Sequence, residues 1–405
     1  MRILSTRPLS MYKRSPDALS LPPPEGPSSG ILVIQDEESE PKPTCCFGLR
    51  KNSDIKDLPF PQNKSLEHRY LTSVGNRYHT NSHYFQNVIF IPVLNQPLSS
   101  NRYYAIQSHG KHKGDAHTNS KEEDMDICCF ISNAHDVPPQ QLDPNNVNQQ
   151  FEICRQGRTI NNSSGFVAKS IVPDGIPPHF LGTKGWKVCA STSPDFELCE
   201  AQGLDSTLRA RLPEFNLPLS NMSSEPVVVG KWYCPFMFIR EGSPKTLKDE
   251  LCKSIYYEMR LEQKWEQVFS CENNYSHGNT VVVDALVQRE VVTVGGREAV
   301  VDERSVGDGV VWFRSSSNVG EETSVALNLA IIERMKWEQK RVGWIGGNGK
   351  RVTVKRVEEF AGIGGWKKFG CYVLVERFVL KRLNGSLVVL NYDFKHSHQI
   401  RCKWE

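Results

Sequence analysis

The residue types best able to do chemistry crowd into one stretch, 108–124. It begins basic, with His109, Lys111, His112 and Lys113, and ends acidic, with Glu122, Glu123 and Asp124. Lys111, His112 and Lys113 make a cationic turn able to grip an anionic ligand or a partner's acidic tract. No aromatic residues are interleaved, so stacking on nucleic-acid bases is unsupported. The competing reading is a solvated loop, since charge runs mostly cover a surface. His109, His112 and His117 also stand near the pair Cys128-Cys129. Structural zinc wants four converging ligands, usually with two to four residues between paired cysteines. Adjacent residues on a strand point to opposite faces, so both thiols cannot easily reach one ion. The expectation is neither metal nor cofactor.

Three further constellations are weaker. Gly343-Trp344-Ile345-Gly346-Gly347-Asn348-Gly349-Lys350 is glycine-rich, but a P-loop needs Gly-x4-Gly-Lys followed by Ser or Thr, and Arg351 follows the lysine here. Gly362-Ile363-Gly364-Gly365 lacks the following helix of a dinucleotide site. No Gly-x-Ser-x-Gly elbow occurs. Glu258 falls near the middle of an apolar helical face. It reads either as a carboxyl with a raised pKa, suited to proton transfer, or as a core acid satisfied by an arginine or a backbone donor, and buried acids are mostly paired.

The elements that would position these residues read as follows. Val227 to Arg240 is rich in β-branched and aromatic residues and reads as a strand, with Pro235 implying an edge or a bulge. From Lys245 to Phe269, residues Leu247, Leu251, Ile255, Leu261, Trp265, Val268 and Phe269 share one broad face, which predicts a core helix. Lys264-Trp265-Glu266-Gln267 recurs as Lys336-Trp337-Glu338-Gln339 on a second expected helix, Glu321 to about Val342. Each is followed by a β-rich block with a tight turn, at Gly295-Gly296 and at Asn384-Gly385. Upstream, Val33-Ile34-Gln35 leading to Cys45-Cys46-Phe47 is echoed by Ala105-Ile106-Gln107 leading to Cys128-Cys129-Phe130, which suggests two hairpins.

The expected organisation is therefore a basic, Pro-rich arm over 1–30 and a β-rich region over 31–212 with long loops at 108–124 and 133–150. A linker over 213–226 then leads to an α+β region over 227–405 with two helix-plus-meander units, 245–313 and 321–405. The fold class is α+β, mainly antiparallel.

Of the 405 residues, 49 are basic and 46 acidic, and this net +3 gives no general reason to expect nucleic acid. There is no apolar run long enough for a transmembrane helix. Arg2, Arg7, Lys13 and Arg14 occur with no acid among them, the composition of an organelle transit peptide. The poor amphipathic period favours a basic segment leading into the first strand. With no secretory signal, the twelve cysteines are expected as reduced thiols.

Thr6-Arg7-Pro8-Leu9-Ser10, Pro22-Pro23-Pro24-Glu25-Gly26-Pro27 and Leu32-Val33-Ile34-Gln35-Asp36-Glu37 together resemble the opening of a plant-specific family, domain-of-unknown-function family 1262. Val229-Gly230-Lys231-Trp232-Tyr233-Cys234-Pro235-Phe236, Tyr256-Tyr257-Glu258-Met259 and Lys264-Trp265-Glu266 resemble its second hallmark. The resemblance runs over nearly the whole chain. It implies a plant protein acting inside the cell, in the cytoplasm or the nucleus, and it carries over no catalytic residues. The functional expectation is a non-catalytic binding or scaffold module that recruits another protein through sheet edges or long loops. The alternatives are a hydrolase-like enzyme using thiol or carboxylate chemistry, and a peripheral binder of anionic lipid.

Overall fold

The run Tyr256–Glu272 sets the architecture. Tyr257, Met259, Leu261, Gln263 and Trp265 are buried, while Glu258, Arg260, Glu262 and Lys264 between them are half-buried. That is a period of two, and the segment is a strand of 17 residues. The helix expected over 245–269 is confined to Leu247–Lys253. Strand pairing on both sides of the segment, to Val227–Pro235 and to Lys368–Arg382, satisfies its backbone and overrides the helical spacing of its apolar residues.

In the computed structural model, the described residues are 4–19, 30–34, 36, 54–62, 65–73, 81–93, 96–121, 125–128, 131–134, 136–157, 165–191, 198–201, 203–242, 247–273, 278–302, 309–316, 322–347, 349–383 and 387–405. Among them the strands make a nine-stranded sheet, a seven-stranded sheet, a four-stranded sheet and two two-stranded ribbons. The chain is thus α+β, with antiparallel sheet predominating. No helix among these residues is long and apolar enough to cross a membrane.

The nine-stranded sheet runs Arg297–Glu298, Glu290–Val294, Val388–Trp404, Lys368–Arg382, Tyr256–Glu272, Val227–Pro235, Leu4–Pro8, Gly30–Ile34, with Gly203–Leu204 also on Val227–Pro235. Its one parallel pair is Leu4–Pro8 with Gly30–Ile34. The basic segment near the amino terminus therefore contains a strand, and Lys13 and Arg14 follow it on the short helix Leu9–Arg14. Pro235 ends its strand and opens a short turn, Phe236–Phe238, while the register shift lies earlier, between Val228 and Gly230.

The seven-stranded sheet runs Gly165–Ser170, Gln150–Gln156, Arg102–Gln107, Asn81–Pro92, Ser65–Ser73, Lys187–Ser191, Asp54–Ile55. The two look-alike segments therefore part company: Ile34 sits in the first sheet and Ile106 in the second. Cys45-Cys46-Phe47 lies outside the described residues, as does Asn384-Gly385. Gly295 and Gly296 both take positive φ, 58° and 78°, in the expected tight turn.

The second expected helix is also shorter. Glu322–Asn328 is a strand and Leu329–Arg341 the helix, with the Asn328 side chain accepting from Ala330 N at 3.0 Å as its cap. Ile331, Ile332 and Met335 join the largest core, which lies against the nine-stranded sheet. Gly343, at φ 88°, turns the chain out of the helix, so the glycine-rich run after it is a helix exit. A second core, rich in aromatics, fills the seven-stranded sheet's inner face around Phe60, Phe90, Tyr103, Phe166 and Trp186. A third lies where the ribbon of Thr280–Gln288 and Arg351–Glu359 covers the ends of the long strands.

Candidate functional site

The loop after Arg102–Gln107 is pinned to its own strand. Gln107 N donates to Asp115 O at 2.9 Å, and Gly114 N returns to Gln107 O at 2.8 Å. Gly110 and Gly114, at φ 81° and 89°, make the reversal possible. The turn lifts Lys111 and His112 onto the rim of a cavity of about 350 Å3, and His109, His117 and His179 line it too. Lys113 is not among its walls. The rest of the lining is Asp136–Pro139 with Pro178–Phe180, and Asp136 Oδ1 joins the two by accepting from His179 N at 2.8 Å. The segment 133–150, expected as an exposed loop, begins in the strand Ile131–Ala134 and is strapped down in part beyond it. Ala116 and Gln140 exchange backbone hydrogen bonds, and Leu142, Gln149 and Gln150 are buried.

Rim and floor differ in charge. His117, 4 % exposed, faces Gln107 Oε1 at 2.9 Å and meets the Phe180 ring edge-on at 4.7 Å. Burial, helped by the nearby His112, pushes its pKa down to about 4. Beyond Phe180 lies His68, whose pKa is pushed down to about 3 by burial and by His117. The floor is thus neutral near pH 7, made of imidazole, phenyl and proline. Lys111 stands exposed above it, and His112 Nδ1 lies 3.1 Å from Asp115 Oδ2. Ser108 Oγ and His109 Nδ1 are 2.6 Å apart, but they are sequence neighbours on the exposed turn. Among the described residues no group of three or more His, Cys, Asp or Glu is placed to hold a metal ion.

Glu258 is an ion-paired carboxyl. It lies on the strand Tyr256–Glu272 with Lys231 Nζ at 3.2 Å and the Arg260 guanidinium in hydrogen-bond contact. Burial acts to raise its pKa, but those two cations outweigh it and hold the carboxyl below the usual range. It is the paired acid of the sequence reading, on a strand instead of a helix.

Sequence reasoning missed a second cluster. Arg209, from the short helix Ser206–Arg211, reaches Glu376 on Lys368–Arg382 through Nε at 2.9 Å and through Nη2. Its Nη1 lies 3.4 Å from Glu338 Oε2, and Arg334 Nη2 meets Glu338 Oε1 at 2.8 Å. Gln263 Nε2 donates to Glu376 Oε1 at 2.8 Å and to Arg209 O at 3.1 Å. His396 Nε2 sits 2.8 Å from Gln339 Oε1. Burial acts to raise Glu376, but Arg209 holds it ionised, below its ordinary pKa. Arg209, Gln263, Glu376 and His396 of this network line a cavity of about 280 Å3. The signal was a polar residue inside an apolar register, Gln263 between Leu261 and Trp265 and Glu376 after Val375.

No curated protein matches the chain. Ten chains of solved structures do. One is the crystal structure of Cry35Ab1, at 9% identity and a TM-score of 0.41, over 85% of this chain and 90% of that one, a likeness too loose to argue from. The family match is firmer and narrower. It takes in the turn with Lys111 and His112, but neither the Val229–Phe236 hallmark nor the Arg209–Glu376 network. Residues 25–130 of this chain are similar to the family described as Protein of unknown function (DUF1262).

Proposed function

We propose that this chain is a non-catalytic binding module whose ligand is a small organic anion with a flat apolar body. The observation that carries this reading is the contrast inside the histidine-lined cavity. A neutral floor of His117, Phe180, Pro138 and Pro178 would take the apolar body, and Lys111 on the rim would take the charge. A lysine that stays exposed until a ligand arrives forfeits little solvation in the free protein. The compartment we propose is reducing, cytoplasm or nucleus. There Cys371 and Cys402, directly across one strand ladder, would stay reduced.

The test is calorimetric titration of the full chain with benzoate, phenyl phosphate and neutral benzyl alcohol, and of a Lys111→Glu variant. Sedimentation with phosphatidylserine vesicles runs alongside. The anions should bind and the alcohol should not. Lys111→Glu should weaken the anions about tenfold, a loss of about 1.4 kcal/mol. Equal binding of alcohol and anion, or no effect of the substitution, would sink the reading. Sedimentation with vesicles and no titration by the soluble anions would replace it with lipid binding.

A further inference from the structure

The third core, under the ribbon, holds two facing sulfur atoms that belong to neither cavity. Cys371 and Cys402 stand opposite each other on the strands Lys368–Arg382 and Val388–Trp404. Their register fixes the kind of pair they form. Lys368 N donates to Glu405 O at 2.8 Å, and Glu405 N returns to Lys368 O at 2.9 Å, so these two exchange both backbone bonds. Bonded and open pairs alternate along an antiparallel ladder. Phe369–Trp404 is therefore open, Gly370–Lys403 bonded and Cys371–Cys402 open, with no register shift before Val373. An open pair brings its Cα atoms to about 4.5 Å and its side chains closest together. A disulfide spans Cα separations of about 4.4–6.8 Å. The two thiols can thus be joined with little movement of the sheet.

Their surroundings favour reaction. The hydrogen bond from Cys402, helped by Arg356 on the ribbon, holds the Cys371 thiol below its ordinary pKa, against the burial that would raise it. A proton held between two sulfurs belongs to the pair, so either sulfur can carry the charge. Cys371 is fully buried and Cys402 half-buried. Glu290–Val294 pairs with Val388–Trp404 only at Leu390–Phe394, so among the described residues no strand covers the edge beside Cys402. That edge admits an oxidant little larger than water. Cys271, on the next strand, stands opposite Phe369 instead.

We propose that Cys371 and Cys402 are a reversible peroxide-responsive pair, whose disulfide staples the end of the chain to the long strand beside it. Cys402, as thiolate, attacks one peroxide oxygen. The O–O bond breaks, hydroxide leaves and takes up a proton as water, and the sulfur becomes a sulfenic acid. Cys371 gives up its proton and attacks that sulfur. The S–O bond breaks, and a second water departs with the proton. Two thiols and one peroxide thus give one disulfide and two waters, and a dithiol reverses the change by exchange. The staple tightens what the chain end holds. Lys403 Nζ donates to Leu217 O at 2.8 Å, and Glu405 Oε1 accepts from Leu219 N at 2.9 Å. The proposal does not depend on the ligand proposed above, since neither cysteine lines that cavity.

The experiment treats the full chain with hydrogen peroxide, blocks the remaining thiols with iodoacetamide and maps the peptides by mass spectrometry. Cys199 and Cys252, both exposed, serve as internal references. The peptides of Cys371 and Cys402 should appear joined, lighter by two hydrogens than the separate thiols, and dithiothreitol should part them. The same bridge should form in Cys271→Ser. Amide hydrogen exchange at 217–219 and 400–405 should slow in the bridged protein. Full alkylation of Cys371 and Cys402 while Cys199 and Cys252 are oxidised overturns the proposal. So does a bridge from either cysteine to Cys271, or exchange that is the same with and without the bridge.

Discussion

His68, His117 and His396 share one condition: each is buried where its protonated form would lose solvation, and each has its pKa pushed down, to about 3, about 4 and about 4. The unfolded chain takes up protons first, at about 6.5 for each imidazole. Their stability contribution is therefore complete above about pH 6.5 and drains as pH falls towards the folded values. The expected loss is on the order of 2 kcal/mol for each histidine by about pH 5. Urea denaturation at a series of pH values measures it, and a midpoint that stays level from neutrality to that pH would contradict it. Individual residues were unevenly legible. That Glu258 is paired followed from the general cost of a lone buried charge, while its partners, Lys231 and Arg260, did not. The cationic turn at Lys111 and His112 showed in composition, but its neutral floor did not, because Phe180 and His179 come from another part of the chain. His396 was invisible for the same reason.

Single elements were misjudged wherever two periodicities overlapped. Leu247, Leu251, Ile255, Leu261 and Trp265 satisfy a helix. Tyr257, Met259, Leu261 and Trp265 also satisfy a strand, and partners on both sides decided for the strand. Val227–Pro235 had no such ambiguity, since its β-branched and aromatic residues leave one period open. Close packing between elements is likewise absent from any local pattern. Gly165 is an example: a Cβ there would meet Trp186 O at 2.5 Å and the Gly185 carbonyl at 2.6 Å, both backbone. Gly165→Ala should therefore cost about 1–3 kcal/mol or more by forcing the strand Gly165–Ser170 off the backbone at Gly185-Trp186. Gly157→Ala, at a site with nothing within 4 Å, should stay within about 0.5 kcal/mol. Chemical denaturation of the pair tests this. Equal midpoints would mean that the sheet yields at Gly165.

On the scale of the molecule, the fold class was legible because antiparallel strands announce themselves by alternation and tight turns. The order of strands in the sheets was not, because pairing partners lie far apart in sequence. Leu4–Pro8 is the clearest case. It sits between Val227–Pro235 and Gly30–Ile34, with Ser5 and Thr6 fully buried and Thr6 exchanging backbone hydrogen bonds with Ala201. Deleting residues 1–19 removes that row. At about 1 kcal/mol net for each hydrogen bond, the loss is on the order of 5 kcal/mol, comparable to the stability of a whole domain. The shortened chain should melt earlier and bind a hydrophobic dye. A truncated protein with the parent's melting temperature would show that the row is dispensable.

The same wide separation governs how the chain is made. Tyr256–Glu272 leaves the ribosome while its partner Lys368–Arg382 is still untranslated, with 273–367 to come between them. For that interval its free rim is an adhesive template for other chains, and closing so long a loop is slow. Pauses in translation over 273–367 should therefore raise the share of newly made chains caught by holding chaperones. The finished sheet conceals a period in which half of it waits for the other.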